Sequence, residues 1–270
     1  MSIKIENTQV FGWEAAIRGA RNPMNSWEKS DSVYIPAYYC DEEKDLELAK
    51  MCGGVAPIIK ENDHKLLTNL CKGGTEEAKW RRMIHVQMDV TAPLYWWKEF
   101  ETYKVATVSN SCSTMHKIQA KEFTLDDFSC EHLITMKDIE HQDGGVPLEN
   151  CVIYDCGRED YGWEENDQRY EDDYYDDPGI YTWAQQILKI TIAGLNYYRE
   201  KFLETKDKKY WWQMIQLLPT SYNQKRTIDL NYEVLASQYR QRKDHKLTEW
   251  HQYCDWIKTL PYSEFITMEE

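Results

Sequence analysis

The segment at residues 83–93, MIHVQMDVTAP, constrains the fold of this chain more than any other stretch. Apolar and polar residues alternate along it, which is typical of a half-buried β-strand. Pro93 then ends the strand and suits the first position of a helix, where its missing N–H is no loss. The aromatic run LYWWKEFETYK follows with helical spacing, and a polar turn comes after it. The pattern therefore predicts a strand, a helix and a polar turn in succession, with one strand face buried: Ile84, Val86, Met88 and Val90.

Other segments predict a helix-rich chain with few strands. IKIENTQVFG alternates like a strand, and WEAAIRGAR after it predicts a short helix. Residues 43–52 and 61–72 predict two helices, each stopped by a Gly pair. GIYTWAQQILKITIAGLNYYREKFLE predicts a long helix, which we expect at the centre of the core because its apolar face is almost continuous. KRTIDL predicts a strand, and three more segments predict amphipathic helices: KKYWWQMIQLLP, NYEVLASQYRQRK and LTEWHQYCDWIKTL. Because strands and helices do not alternate regularly, we expect an α+β fold.

The formal charge of -14 limits what the chain can bind. Sequence-independent binding to a nucleic-acid backbone needs clustered Lys and Arg, so we expect no direct contact with nucleic acid. The 11 Trp and 19 Tyr predict large rings in the core, in a pocket or at a subunit interface. No apolar run approaches the ~20 residues of a membrane span. The start MSIKIENTQV does not resemble a signal peptide, so we expect a soluble, cytoplasmic protein without membrane contact.

The eight cysteines favour reduced thiols over a disulfide framework, because the chain is mid-sized and carries no secretion signal. Cys151 and Cys156 are close in sequence, but no second Cys or His pair lies nearby, so we expect no metal site. His85 lies in the predicted strand at 83–93 and is expected to be a core histidine. The sequence has no glycine-rich phosphate loop, no Gly-x-Ser-x-Gly elbow and no His-Glu-x-x-His helix.

An acidic and aromatic run occupies residues 155–178 and has no apolar periodicity. Blocks of like charge usually remain in water, which favours an exposed excursion over a dedicated binding segment. The expected organisation is one domain over residues 1–270, with an acidic insertion at about 120–178.

The stretch VTAPLYWWKEFETYKVATVSNSCSTMHK, residues 90–117, resembles the signature region of flavin-dependent thymidylate synthases. In that family a strand ends in Ala-Pro, an aromatic helix follows, and an Arg-His-Arg-x-x-Ser-x-Asn-Glu-x-Ser-x-Arg motif comes next. Two further blocks resemble the family in the same order: AAIRGAR with LLTNLCKGGTEEAKWRRMIHV upstream, and LLPTSYNQKRTIDLNYEVLASQYRQRKDHKLTEW downstream. The resemblance covers about two thirds of the chain and omits the region from 120 to 180. It implies a small antiparallel sheet packed with several long helices.

The resemblance also implies site residues, although the charged positions of the motif are largely replaced. The Arg-His-Arg positions read Thr102, Tyr103 and Lys104, and a one-residue shift leaves open which residue matches the motif serine. The implied catalytic residues are Arg242, Cys112 and Ser113. The implied cofactor-binding residues are Lys104, Tyr103, Asn231 and Asn110. The implied substrate-binding residues are Arg226, Arg21 and Arg18.

Several of these residues have an ordinary structural interpretation that the sequence leaves open. Cys112 is a nucleophile if its pKa is lowered, and otherwise a small buried thiol. Arg242 either stabilises negative charge on a pyrimidine ring or is an exposed arginine favoured at a helix C-terminus. Asn231 either contacts the flavin or caps a helix. Arg226, Arg21 and Arg18 either contact a phosphate group or a cofactor, or are ordinary surface charges.

The function implied is modification of a pyrimidine deoxynucleotide, dUMP or dCMP, at C5 by folate-borne one-carbon transfer. FAD, a reduced folate and NADPH are the implied cofactors, and a homotetramer is the implied assembly. The alternative is a catalytically inactive relative that binds a nucleotide or a partner protein, which the loss of the Arg-His-Arg cluster favours. A structural protein with a purely packed aromatic core ranks last. Replacement of most charged positions of the motif is what we expect of a fast-diverging viral member of the family.

Overall fold

The computed structural model describes residues 3–135, 151–152 and 181–268 of the chain. They fall into two compact units. Unit 1 consists of Met1–Thr114 and Thr220–Glu270, and unit 2 consists of Met115–Pro219. The expected acidic insertion falls in unit 2, but residues 136–150 and 153–180 lie outside the described residues, as does the acidic run at 155–178. The single domain with an insertion therefore stays a prediction.

Unit 1 is built on a four-stranded antiparallel sheet. Its strands are β1 (Lys4–Phe11), β4 (His85–Pro93), β8 (Asn223–Asn231) and β5 (Val108–Ser111), and they lie in the order β1-β4-β8-β5. Strands β2 (Val33–Pro36) and β3 (Val55–Ile58) form a separate antiparallel pair. This arrangement, with the helices below, confirms the α+β class and the small antiparallel sheet.

The helices of unit 1 agree closely with the periodic segments of the sequence. They are α1 (Trp13–Arg21), α2 (Glu43–Met51), α3 (Glu61–Lys72), α4 (Leu94–Phe100), α7 (Tyr232–Arg242), α8 (Thr248–Ile257) and α9 (Glu264–Thr267). Gly12 precedes α1 with φ of 99°, and a Cβ there would lie 2.0 Å from the Met83 carbonyl oxygen. Only glycine fits this position, because it combines a left-handed backbone with contact to a second backbone segment.

The core lies between one sheet face and the aromatic helices. Ile84, Val86, Met88 and Val90 are all buried, as the alternation predicts. The aromatic run of α4 packs on α8: the Trp96 ring centroid lies 5.0 Å from that of Phe100 and 4.8 Å from that of Trp250. Rings of this size bury large apolar areas and favour edge and offset contacts, which stabilise a single arrangement of the two helices.

Two details of this region differ from the predictions. Helix α4 ends at Phe100 rather than continuing to Lys104, and the polar turn contains the edge strand β5. His85 is exposed rather than buried, because it begins β4 on the polar sheet face, where its Nδ1 lies 3.0 Å from an Asp229 carboxylate oxygen.

The described residues of unit 2 include a short β-ladder and two α-helices. Strands β6 (Cys151–Val152) and β7 (Tyr181–Thr182) are antiparallel, and α5 (Trp183–Thr205) and α6 (Lys208–Leu217) follow. Thr182 and Gln185 form a capping box that begins α5.

The expectation that α5 lies at the centre of the core is wrong. Trp183, Ile187 and Ile190 are 55%, 60% and 52% exposed, whereas only Gln186, Leu188 and Leu195 of this helix are buried. The main hydrophobic cluster is built from unit 1 residues instead. The apolar residues of α5 occupy most of its circumference. Such a pattern predicts that some of them are buried, but it does not identify which side of the helix packs against the rest of the protein.

The polar face of the sheet holds an aspartate with a perturbed pKa. Hydrogen bonds from Thr227 and Asn7 and the ammonium of Lys225, 2.6, 2.9 and 3.1 Å away, lower the pKa of Asp89 to about 2. A carboxyl pKa below its unfolded value stabilises the fold above the unfolded pKa, and this stability is lost as pH falls through the folded pKa.

Replacing Thr227 by valine is expected to raise the pKa of Asp89 toward about 3.9, the value of an unperturbed aspartate. The valine keeps the branched shape but removes the first of the hydrogen bonds that hold the carboxylate. A carboxyl-carbon NMR titration measures the shift, and Thr227→Ser, which keeps the hydroxyl, should leave the pKa low. Equal pKa values in both variants would contradict the assignment.

Candidate functional site

Arg242, the last residue of α7, is held in a fixed orientation. Its Nε donates a hydrogen bond of 2.9 Å to the Tyr103 hydroxyl, and its Nη1 lies 2.7 Å from Oε2 of Glu99. The Tyr103 hydroxyl in turn donates to Oε1 of Gln241. The structure therefore brings together two residues, Arg242 and Tyr103, that the sequence assigned separately to catalysis and cofactor binding.

The same carboxylate oxygen of Glu99 accepts from two more side chains. Trp250 donates its indole N–H over 3.0 Å, and Nε2 of His245 lies 3.2 Å away. The Arg242 guanidinium also lies 4.7 Å from the Trp250 ring centroid, at cation–π distance. Within the described residues, Nη2 of Arg242 donates no hydrogen bond. The Nη2 edge of the guanidinium therefore remains for a ligand.

Arg226 of β8 forms a second arginine cluster, also with residues near the C-terminal end of α4. Its Nε donates 3.0 Å to Oε1 of Gln224, its Nη1 lies 2.7 Å from Oε1 of Glu101, and its guanidinium lies 4.4 Å from the Trp97 ring centroid. Gln224 also donates 2.7 Å to the Cys112 carbonyl oxygen. The cluster therefore connects β8 to the chain just after β5.

The segment from Lys104 to Ser113 is exposed. Lys104, Asn110, Cys112 and Ser113 all have exposed side chains, and Asn110 pairs in register with Thr227 of β8. The interpretation of Cys112 as a buried thiol is therefore wrong, because β5 is an edge strand and its continuation leaves the sheet edge facing solvent. Exposure alone does not make Cys112 a nucleophile.

Asn231 is separated from these clusters. It ends β8, opposite His85, whereas Arg226 lies opposite Val90. Its side chain is 3% exposed, and its Oδ1 accepts from the backbone N–H of Val234. The structure shows the helix cap, and the implied contact of Asn231 with a flavin stays a prediction.

Arg21 and Arg18 lie on α1 in contrasting environments. Arg21 is 4% exposed; its Nη2 lies 2.6 Å from the Asp63 carboxylate, and it also donates to the carbonyl oxygens of Ser26 and Lys29. Arg18 is exposed and lies 3.7 Å from Glu14. A guanidinium as enclosed as that of Arg21 stabilises the fold through its buried ion pair, and its implied contact with a substrate stays a prediction. Arg18 is a surface charge in a weak pair.

The sequence did not indicate seven residues of the two clusters as site residues: Trp97, Glu99, Glu101, Gln224, Gln241, His245 and Trp250. The only local signal was that two glutamates interrupt the aromatic segment LYWWKEFETYK. Their partners lie 143 and 125 residues away, so no spacing pattern connects them.

Within the described ranges, no group of three or more His, Cys, Asp or Glu side chains is placed to hold a metal ion. None of the described helices combines the length and the hydropathy needed to cross a membrane.

The fold is similar to that of solved flavin-dependent thymidylate synthases. One is ThyX from Helicobacter pylori complexed with FAD and dUMP, with a TM-score of 0.53, 12% sequence identity, and coverage of 100% of this chain and 98% of that chain. A second structure of the Helicobacter pylori enzyme with FAD and dUMP, at 13% identity, has the same TM-score and coverage. No protein-family model and no curated protein matches the sequence. At this identity the likeness shows that the chain shares the fold of these enzymes.

Proposed function

We propose that this chain is a divergent flavin-dependent thymidylate-synthase-like enzyme that modifies a pyrimidine deoxynucleotide, dUMP or dCMP, at C5. The one-carbon unit would come from a reduced folate, with FAD and NADPH as redox cofactors. The observation that carries the proposal is the fixed Arg242, at the position that the family resemblance assigned to the pyrimidine ring. The shared fold supports it, because the similar structures are complexes with FAD and dUMP.

Arg242 is suited to stabilise negative charge that develops on a pyrimidine ring. Glu99 and Tyr103 hold two of its nitrogen atoms, so the free Nη2 edge needs no reorganisation when a ligand arrives. A preorganised donor of this kind contributes more to catalysis than a mobile one. The Trp250 ring beside the guanidinium limits access of water to one side of it.

The residues present fit a flavin dinucleotide in part. Lys104 and Asn110 are exposed, and Lys104 has no ion-pair partner among the described residues, so these two would contact a diphosphate or ribose. Tyr103 would contribute its ring rather than its hydroxyl, which Arg242 already uses. Bound flavin would supply the hydride for the one-carbon unit. The homotetramer implied by the family resemblance, in which a second copy adds residues to the site, is part of the proposal.

The second candidate function is nucleotide or partner binding without turnover. A specific observation favours it: Arg226 and Arg242, the two arginines nearest the predicted site, are each paired with a glutamate of the same chain. Neutralised cations attract phosphate groups less strongly than free ones. Cys112 and Ser113 would then be surface residues without a chemical role.

The protein purified without added cofactor is expected to show the visible absorption of bound flavin, or to acquire it after incubation with FAD and dialysis. Lys104→Ala should weaken FAD retention, because it removes the cation proposed for the diphosphate; Lys98→Ala, an exposed lysine of α4, serves as the matched control. A colourless protein that fails to retain FAD would exclude the enzyme and favour binding without turnover.

A further inference from the structure

Arg226 lies on the core-facing side of β8. Opposite it is the buried Val90, and the next residues on the same face, Ile228 and Leu230, are 1% and 0% exposed. Its side chain is only 12% exposed and rests on the Trp97 ring. Removing a cation from water is costly unless an anion or several acceptors replace the lost hydration. The position therefore needs an anionic partner.

The partner in this chain, Glu101, is held weakly. Its side chain is 55% exposed, and its carboxylate contacts Arg226 alone among the described residues. Glu99, two residues earlier, is 35% exposed and accepts from Arg242, Trp250 and His245. The Glu99 carboxylate is thus fixed by several donors, whereas the Glu101 carboxylate can exchange with water or another anion at small cost.

The guanidinium of Arg226 remains oriented when Glu101 leaves. Gln224 holds its Nε at 3.0 Å and is itself anchored on the Cys112 carbonyl, while Trp97 supports its flat face. Nη1 faces Glu101, and within the described residues Nη2 makes no hydrogen bond. Two N–H groups in one plane match two oxygen atoms of a phosphate group, as they match a carboxylate.

We propose that Glu101 is an internal counter-ion that the phosphate group of the ligand displaces from Arg226. Displacement makes Arg226 the phosphate-binding residue of the site, while the charge of Arg242 stays paired with the firmly held Glu99. Glu101 thereby sets how strongly the protein prefers a phosphorylated ligand over the free nucleoside. The inference deepens the proposed function, on which it rests for the nucleotide nature of the ligand.

The test is a titration of the full-length protein, labelled with ¹⁵N-arginine, with inorganic phosphate at constant ionic strength set by potassium chloride. The Arg226 Nε–H resonance, assigned from its loss in Arg226→Lys, is expected to shift and saturate. In Glu101→Gln and in Glu101→Ala the phosphate affinity should rise about two- to fivefold, as expected for removing one exposed ion pair.

The matched control is Glu14→Gln, which changes the net charge equally and frees the exposed Arg18. It should leave the phosphate affinity at Arg226 unchanged. If the Arg226 resonance does not saturate, or if Glu101→Gln and Glu14→Gln behave alike, the counter-ion proposal is overturned.

The same resonance separates this proposal from the proposed function. A shift with dUMP and none with deoxyuridine supports both. A saturable shift with inorganic phosphate but none with dUMP supports phosphate binding at Arg226 and contradicts the pyrimidine nucleotide as its ligand. Loss of flavin binding with an intact phosphate response contradicts the enzyme and leaves phosphate binding at Arg226 standing.

Discussion

Replacing Arg21 by alanine is expected to lower the free energy of unfolding by about 3–5 kcal/mol, because it leaves the Asp63 carboxylate buried without its cation. Asp63 is 0% exposed and accepts from Arg21, Ser30, Ser32 and the backbone of Asp31. This network ties the loop after α1 to the start of α3. Urea unfolding followed by tryptophan fluorescence measures the loss.

Arg18→Ala is the matched control, since it removes an arginine from the same helix. Arg18 is exposed and its pair with Glu14 is 3.7 Å long, so the change should stay within about 0.5 kcal/mol. If both variants lost the same free energy of unfolding, the buried Arg21–Asp63 pair would contribute no more to stability than the exposed Arg18–Glu14 pair. A stable Arg21→Ala protein that loses nucleotide affinity would instead support the predicted substrate-binding role of Arg21.

The Arg21 network also gives unfolding a pH dependence with a definite sign. Burial raises the pKa of Asp63, but the hydrogen bonds from Ser32, Ser30 and Arg21 outweigh it and leave the pKa below its ordinary value. A lowered carboxyl pKa stabilises the folded state above the unfolded pKa, and this stability is lost as pH falls through the folded pKa. The acid-side loss of stability should be smaller in Asp63→Asn than in the unmodified chain.

The sequence predicted those elements whose periodicity reflects a single buried face. Strand β4 is the clearest example, since every second residue from Ile84 to Val90 is buried. Helix α5 shows the limit, because Ile187 and Ile190 belong to the same apolar run as Leu188 and yet face solvent. Local composition determines that a helix forms, whereas the surface it packs against is set by contacts distant in the chain.

The candidate site was predicted in part for a related reason. Arg242 and Tyr103 were found through a family resemblance, and a hydrogen bond across 139 residues joins them. Glu99 and Glu101 were not found, because a carboxylate in an aromatic helix carries no sign of which arginine it will meet. The sequence left two roles open for Asn231, and the backbone hydrogen bond of the cap depends on where α7 begins.

Arg242→Ala is expected to lower kcat/KM for dUMP or dCMP by about 10²–10³-fold if the chain is the proposed enzyme, the usual effect of removing one preorganised donor from developing charge. The loss should lie mainly in kcat, because the interaction strengthens as charge develops on the ring. Steady-state turnover with FAD, a reduced folate and NADPH measures it. Arg240→Ala, an exposed arginine of the same helix, serves as the control and should retain full activity.

The Glu99→Gln variant tests whether the fixed orientation of Arg242, and not only its positive charge, contributes to catalysis. The glutamine side-chain oxygen still accepts from Trp250 and Arg242, but the substitution removes the negative charge that holds Nη1 of the guanidinium, so Arg242 should gain mobility. We expect kcat to fall about tenfold with little change in KM, and Glu99→Gln to have little further effect in a protein that already carries Arg242→Ala. Independent, multiplying effects of the two substitutions would show that Glu99 acts without Arg242, and the carboxylate would then contact the ligand directly.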